Sequence, residues 1–262
     1  MTQKWSFLIY SPMLARQRQR MILSMLETQP SLRTIELARK FDVTDETIRR
    51  DLEFLDSENK LIRTHGGALR IEKRIHDIPM LSRLKENRDQ KREIARKALE
   101  YIKEGETILM DSGSTSLALA EILPNIKLTV ITNGHDTIAP LMDKDNITVI
   151  STGGILNRRS HSFVGAVANA SLRRFPIDKM FFSCNGLDLD RGASEAIELH
   201  AEFKESVFPL CTCKILLCDS SKFGVRSARF FADLGVCDII ITDSSADPSF
   251  IEKLSAAGVV VK

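Results

Sequence analysis

The chain has 262 residues, 43% hydrophobic and 27% charged, enough to bury one large core or two smaller ones. Its apolar runs are too short to cross a bilayer, and the run at 5–10 is shorter than a signal-peptide core and has no small-residue cleavage site after it, so a soluble, cytoplasmic protein is expected. A formal net charge of +2 does not by itself announce a nucleic-acid partner, but residues 1–74 hold fourteen Lys and Arg against ten Asp and Glu, which leaves −2 for the remainder.

Residues 1–12 read as an unstructured tail, and Met13 would also serve as a start. From 17 to 26, an apolar face of Ile22, Leu23, Met25 and Leu26 predicts a first helix that Pro30 stops. Thr34 is placed to cap a second, short helix through Ile35, Leu37, Ala38 and Phe41. Asp42 and Val43 turn the chain into a third helix, V-T-D-E-T-I-R-R-D-L-E-F-L at 43–55. There Ile48, Leu52 and Leu55 recur at the i, i+4, i+7 spacing of one buried stripe. Thr44 is the expected N-cap, with Asp45 and Glu46 in the first turn, where the helix dipole favours negative charge. The opposite face carries Glu46, Thr47 and Arg50, with Arg49 on the flank. That set suits a DNA major groove, because arginine donates twice to guanine and also clamps phosphate. Alone, the stretch fits an ordinary salt-bridged surface helix equally well. The order helix, helix, tight turn, helix decides for a helix-turn-helix.

After it, Asn59 is suited to the left-handed conformation that ends a helix. A short strand at 61–64, a turn at His65-Gly66-Gly67 and a returning strand at 68–71 predict a wing. Its Arg63, His65 and Arg70 are phosphate-contact candidates, although basic residues on a hairpin are commonly just solvated. The DNA-binding domain thus spans 13–71. Residues 72–90, charged and interrupted by Pro79, read as a linker, and 90–102 as an amphipathic helix with Ile94, Ala98 and Ile102 on one side and a solvated basic face.

From 91 to 262 short apolar runs alternate with helical ones. Strands are expected at 107–110, 128–132, 147–151, 179–183, 215–218, 238–242 and 259–261. Helices are expected at 116–123, 137–142, 167–174, 194–208 and 248–256. Such alternation predicts an α/β domain with a parallel sheet covered on both faces, which binds ligands beyond the carboxyl ends of its strands. The small polar and glycine residues gather at those ends. The first strand runs into Asp111-Ser112-Gly113-Ser114-Thr115 and then a helix, where exposed N–H groups, hydroxyls and the positive dipole end suit a phosphate. The G-x-x-x-x-G-K-[ST] pattern of a P-loop is absent, and a capped turn without a ligand fits this loop alone equally well. Four further strand ends supply Thr132-Asn133-Gly134, Gly153-Gly154, Asn185-Gly186 with Asp188, and Asp219-Ser220-Ser221-Lys222-Phe223-Gly224. Lys222 is the one cation among them, able to meet a phosphate as a point charge or simply to face solvent. The five cysteines read as reduced and buried, and Cys211-x-Cys213 without a second ligand pair is packing rather than a metal site; no cofactor is expected.

The run T-I-R-R-D-L followed by L-I-R-T-H-G-G-A resembles the winged helix-turn-helix of the DeoR family of bacterial transcriptional regulators. The order D-S-G-S-T, T-N, G-G, N-G-L-D, D-S-S-K-F-G and I-I-T-D is similar to that family's C-terminal sensor domain. Asn59, where the family usually has glycine, the residues before Met13, and Ser116 in place of a second threonine are departures that leave the groove-facing side unchanged. The resemblance implies a Rossmann-like sensor domain whose fold is that of ribose-phosphate isomerase, glucosamine-phosphate deaminase and coenzyme A transferase enzymes. It further implies a phosphorylated sugar as effector, met near Ser112 to Thr115 and Lys222. The expected partners are double-stranded operator DNA, that effector, and a second copy of the chain in a dimer or tetramer over a two-fold site. A repressor of a carbohydrate-use operon is the favoured reading. The alternative is a sugar-phosphate isomerase or deaminase with an appended DNA-binding domain. Asp111, Asp188, Glu195 and His200 are candidate bases by type, but no closely spaced acid pair sits on a glycine-rich loop, so sensing ranks above catalysis.

Overall fold

A computed structural model of the chain describes residues 14–29, 31–58, 60–69 and 78–262. They form two compact units, Met1–Glu72 and Lys73–Lys262. The expected tail at 1–12, Asn59, and the Arg70 and Ile71 end of the wing lie outside the described residues.

In the first unit, helix α1 (Ala15–Thr28), strand β1 (Ser31–Arg33), helices α2 (Thr34–Phe41) and α3 (Asp45–Ser57), and strands β2 (Ile62–Thr64) and β3 (Gly67–Leu69) follow one another. The Ile48, Leu52, Leu55 stripe of α3 is no more than 2% exposed and packs on Ile22, Leu26, Leu37 and Phe41. Thr44 is the N-cap of α3 and accepts from the Thr47 N–H, so the polar start of this helix is fixed locally. Thr34 does not cap α2. Arg33 occupies that position and Thr34 is the first helical residue, its N–H donated to Gly66 O at 2.9 Å. The reason is β1, a strand too short to show a hydrophobic period, which pairs with β3 and runs straight into the helix. Inside the R-R-D-L run, Asp51 is 3% exposed and ion-paired with the buried Arg18, and its Oδ1 accepts from Gln19 Nε2 at 2.9 Å. That pair ties α1 to α3.

The second unit begins with α4 (Met80–Arg83) and α5 (Arg88–Leu99). Residues 78–90, read from composition as linker, are therefore part of the packed unit: Met80 is 2% exposed and its N–H donates to Arg159 O at 2.9 Å. Next come β4 (Thr107–Met110), α6 (Ser114–Ile122), β5 (Leu128–Thr132), α7 (His135–Ile138), β6 (Ile147–Ser151), the hairpin β7 (Ile155–Asn157) and β8 (Ser162–Val164), and α8 (Ala166–Ser171). Then follow β9 (Ile177–Ser183), β10 (Gly186–Asp188), β11 (Gly192–Glu195), α9 (Glu198–Val207), β12 (Cys211–Leu217), β13 (Arg229–Ala232), β14 (Ile239–Ile241), α10 (Pro248–Ala256) and β15 (Val260–Val261).

Seven of these strands form a parallel sheet in the order β15-β14-β12-β9-β4-β5-β6. Successive residues of β4 and β9 enter opposite cores, Leu109, Met180 and Phe182 on one side and Ile108, Met110 and Phe181 on the other. Both faces are buried, as a parallel sheet requires. The architecture is α/β, a winged helix-turn-helix unit joined in sequence to a Rossmann-like unit. The chain leaves β4 towards β5 and β6, then returns to place β9 on the other side of β4. The reversal opens a crevice beyond the ends of β4 and β9.

The expected helix at 194–208 starts later than its pattern implied, since Gly192–Glu195 is a strand between β10 and β13. Glycine, alanine and serine carry no strand periodicity of their own. Here they allow close backbone packing, for a Cβ on Gly192 would lie 2.1 Å from Ala232 O. Cys184, Cys211, Cys218 and Cys237 are buried thiols, and burial pushes Cys211 and Cys237 up to about 12. Among the described residues no three His, Cys, Asp or Glu side chains are placed to hold a metal, and no helix is long and apolar enough to cross a membrane.

Candidate functional site

On the first unit, α3 presents Glu46, Arg49 and Arg50 to solvent, with Thr47 half-buried beside them and the Arg50 side chain 78% exposed. Glu46 lies 3.6 Å from Arg50 Nε and 3.9 Å from Arg49 Nη1. Exposed pairs of this kind are worth at most about 1 kcal/mol, so they orient the guanidinium groups yet yield readily to phosphate or a base edge. Between α3 and β2 lies a concavity of about 530 Å³ lined by Thr34, Arg49, Leu52, Asp56, Arg63, Thr64 and His65. Arg63 is held there by its N–H to Asp56 Oδ1 at 3.0 Å and its Nη1 3.4 Å from Glu53. Thr34, displaced from the cap, still faces this concavity with Arg63 and His65. The structure thus brings Thr34, Arg49, Arg63 and His65 to one concavity between α3 and the wing. If Arg50 reads a base, Arg50→Ala will cost about 1–3 kcal/mol on the operator and relax sequence preference at one position, measured by binding titrations on operator variants. An equal loss on all DNA would make it a phosphate contact.

On the second unit the crevice at β4 and β9 is floored by a buried ion cluster. Lys204 Nζ pairs with Glu195, lies 3.1 Å from Asp111 Oδ2 and donates to Ser183 O at 2.6 Å. Asp111 accepts from Gly113 N at 3.0 Å, from Ser116, from Ser183 N at 2.8 Å and from Ser183 Oγ at 3.0 Å. Burial pushes its pKa up, but the Lys204 charge and these donors hold it below the usual carboxylate range. Burial also opposes the charge on Lys204, and Glu195 and Asp111 outweigh it and raise its pKa. With 2% exposure and its oxygens in use, Asp111 is bound into the floor of the crevice and holds the loop in place.

Above this floor α6 begins at Ser114, two residues earlier than its hydrophobic pattern. Gly113 is the N-cap, and a Cβ there would lie 2.1 Å from Ser183 Oγ, so only glycine lets the two strand ends approach. The first N–H groups of α6 have no intrahelical partner, and Ser114 and Thr115 line a cavity together with Ser183, Asn185, Asp219 and Lys222. Among the lining members that sequence reading missed are the charged Arg83, Glu86 and Lys91. Arg83 Nε is buried with no hydrogen-bond partner among the described residues. Lys91 is 7% exposed, donates to Arg83 O and to Glu86 O at 2.7 Å, and is lowered to about 8, chiefly by burial. Asn87, at φ +50°, donates to Asp219 Oδ1 at 3.1 Å and Ser221 Oγ at 3.0 Å and so binds this stretch to the loop after β12. One signal for Lys91 was in the sequence, since it precedes Ile94, Ala95 and Ala98 at the i, i+3, i+4, i+7 spacing of their buried stripe. A lysine in that register is a buried cation. The cavity holds about 20 Å³, room for one water, so the site is closed in this conformation.

Other expected effector residues lie elsewhere. Thr132 and Asn133 end β5; Thr132 Oγ1 accepts from Gly134 N at 2.9 Å, and Asn133 Nδ2 donates to Phe163 O at 3.2 Å. Gly153 and Gly154 follow β6, two strands from β4, and Gly154, at φ +109°, packs 2.8 Å from Val164 O by its would-be Cβ. Asp188 accepts from Arg226 Nε at 2.6 Å and from the N–H groups of Asp190 and Arg191, which makes it the anchor of a turn. Gly186 serves close packing on Val225. These placements share a cause: polar residues at strand ends also build turns, and sequence order does not say which ends adjoin. Ser112 is half within the loop and 9% exposed.

Fold and site define a class: a winged-helix DNA-binding unit followed by a Rossmann-like unit with a cationic crevice at its topological switch point. Residues 18–74 match the DeoR-like helix-turn-helix domain and residues 86–244 the DeoR C terminal sensor domain. The chain belongs to the DeoR family of transcriptional regulators. It is 42% identical over 242 residues to the uncharacterized HTH-type transcriptional regulator YulB of Bacillus subtilis, covering 92% of this chain and 94% of that one. It is 36% identical to the L-fucose operon activator of Haemophilus influenzae, with 87% and 92% covered, and 31% identical to a putative aga operon transcriptional repressor of Escherichia coli O157:H7, with 94% and 92% covered. Among solved structures, ribose 5-phosphate isomerase A of Methanocaldococcus jannaschii aligns at TM-score 0.40 and 16% identity over 53% of this chain and 55% of that one.

Proposed function

We propose that this DNA-binding regulator is a cytoplasmic repressor of a carbohydrate-use operon, released from its operator by a phosphorylated sugar bound at the closed crevice. The observation that carries the reading is the convergence of Arg83, Lys91 and Lys222 on the first turn of α6, with Arg83 Nε lacking an acceptor among the described residues. Cations and orphan N–H groups at one point select an oxyanion, and phosphate fits better than a neutral sugar. Groove reading by such units normally needs two copies over a two-fold site, so a dimer or tetramer belongs to the proposal. A relative named as an operon activator favours a second reading in which the same effector strengthens operator binding. Catalysis is disfavoured: Asp111 and Glu195 are 2% and 5% exposed and bound to Lys204, and His200 Nε2 lies 2.9 Å from Ser162 Oγ with its pKa lowered by burial. Among the candidate bases Asp111, Asp188, Glu195 and His200, none is left unpaired at the crevice for proton abstraction.

A thermal-shift screen with phosphorylated and unphosphorylated sugars tests this. A true effector at ~100 times its dissociation constant adds about 2.7 kcal/mol of stability, and stabilisation by unphosphorylated sugars alone would reject the phosphate site. Lys222→Ala is expected to remove a charge-assisted contact worth ~1.5–3 kcal/mol, weakening the effector about tenfold or more without changing operator affinity in its absence. Because Lys91 is charged below and neutral above about 8, the same titration is expected to show weaker effector binding at pH 9 than at pH 7. Unchanged binding in Lys222→Ala would place the anion elsewhere.

A further inference from the structure

We infer that the crevice is built for a ligand carrying one phosphate on an otherwise uncharged body, and that Glu86 is the residue that rejects a second acidic group. The inference rests on the reading of the crevice as a sugar-phosphate site and names the class within it. The side chains that line the site leave a small positive excess. Lys91 stands within the field of Asp219, Lys222, Arg83 and Glu86, and Arg83 also reaches the field of the floor cluster around His200, where Lys204 meets Glu195 and Asp111. In the lining itself Arg83, Lys91 and Lys222 face Glu86 and Asp219, and the first turn of α6 adds to that positive excess. One phosphate satisfies that excess. A bisphosphate or a phosphorylated sugar acid brings further negative charge that nothing in the lining matches.

The carboxylates differ in what they can do to a ligand. Asp111 and Glu195 are spent on Lys204, and Asp219 on Asn87 and Ser221. Glu86 is exposed at the rim of the cavity, next to the three lining cations, and among the described residues has no ion-pair partner within 4.0 Å. It is therefore the carboxylate that a ligand body meets. Neutral hydroxyl groups donate hydrogen bonds to it, whereas a carboxylate or a second phosphate is repelled, so specificity arises by exclusion as much as by attraction.

The test compares glycerol 3-phosphate with 3-phosphoglycerate, a pair that differs in an uncharged against an acidic end, with inorganic phosphate as the measure of the anchor alone. Binding to the full-length protein is followed by calorimetry or thermal shift in wild type and Glu86→Gln, an isosteric change at an exposed position that leaves the floor intact. Wild type is expected to bind glycerol 3-phosphate at least tenfold more tightly than 3-phosphoglycerate, and Glu86→Gln to narrow the gap severalfold by improving the acid. Binding of phosphate together with equal or absent binding of the two esters, or an unchanged gap in Glu86→Gln, overturns the role of Glu86 while leaving the anion site in place. Failure of all three to bind removes the anion site itself, and the inference with it.

Discussion

Lys204→Met is expected to destabilise the second unit by about 3–5 kcal/mol, because it leaves the buried carboxylates of Asp111 and Glu195 without their cation. The lysine is 4% exposed and joins the end of β4, through Asp111, to Ser183 at the end of β9 and to Glu195 at the end of β11. Removing it separates the elements that shape the crevice. Thermal melts of the full chain should show the second unit unfolding at lower temperature, with phosphate binding lost as well. The pH dependence has a definite sign. The Asp111 pKa is depressed in the folded protein, so its contribution is present above the ordinary carboxylate range and is lost as pH falls through the folded value. Wild type should therefore lose stability on acidification more steeply than a variant in which Asp111 and Lys204 are replaced together by apolar residues. A Lys204→Met protein that melts like wild type would show that the cluster does not hold the strand ends.

Asp51→Ala should have a comparable effect on the first unit. Although Asp51 sits beside Arg50 in the sequence, it points inward to Arg18, which is 6% exposed, and its loss removes the buried carboxylate paired with that guanidinium. The expected cost is about 3–5 kcal/mol, large for a unit of this size. Operator binding would fall through unfolding, with the melt of the second unit unchanged. Arg50→Ala is the matched control, since it should weaken the operator and leave both melts alone. If Asp51→Ala keeps the first unit folded and alters only sequence preference, Asp51 belongs to the groove-reading face.

Local pattern made the DNA-binding unit legible. The Ile48, Leu52, Leu55 stripe, the Thr44 cap and the exposed Arg50 follow from helical geometry within a dozen residues, and each is found where periodicity places it. The parallel sheet was legible for the same reason, since alternating apolar runs announce strands buried on both faces. The strands that escaped, β1, β7, β8, β10, β11 and β13, are three or four residues long and too short to show a period, and β1 and β13 are held by partners distant in the chain.

The crevice was legible only in half. By itself the sequence determined that Ser114 and Thr115 open a helix after a strand and that Lys222 follows another strand, because both are relations between neighbours along the chain. The tertiary structure decided which strand ends adjoin. It set β9 beside β4, turned Asp111 down to Lys204, sent Gly153, Gly154 and Asp188 to other turns, and brought Arg83 and Glu86, from a stretch that composition marks as linker, together with Lys91 of the helix that follows it. The physical reason is that a charged side chain carries no mark of its partner. Whether it faces water, an opposite charge or a ligand is fixed by burial and by the groups that packing places around it, and those are properties of the assembled core.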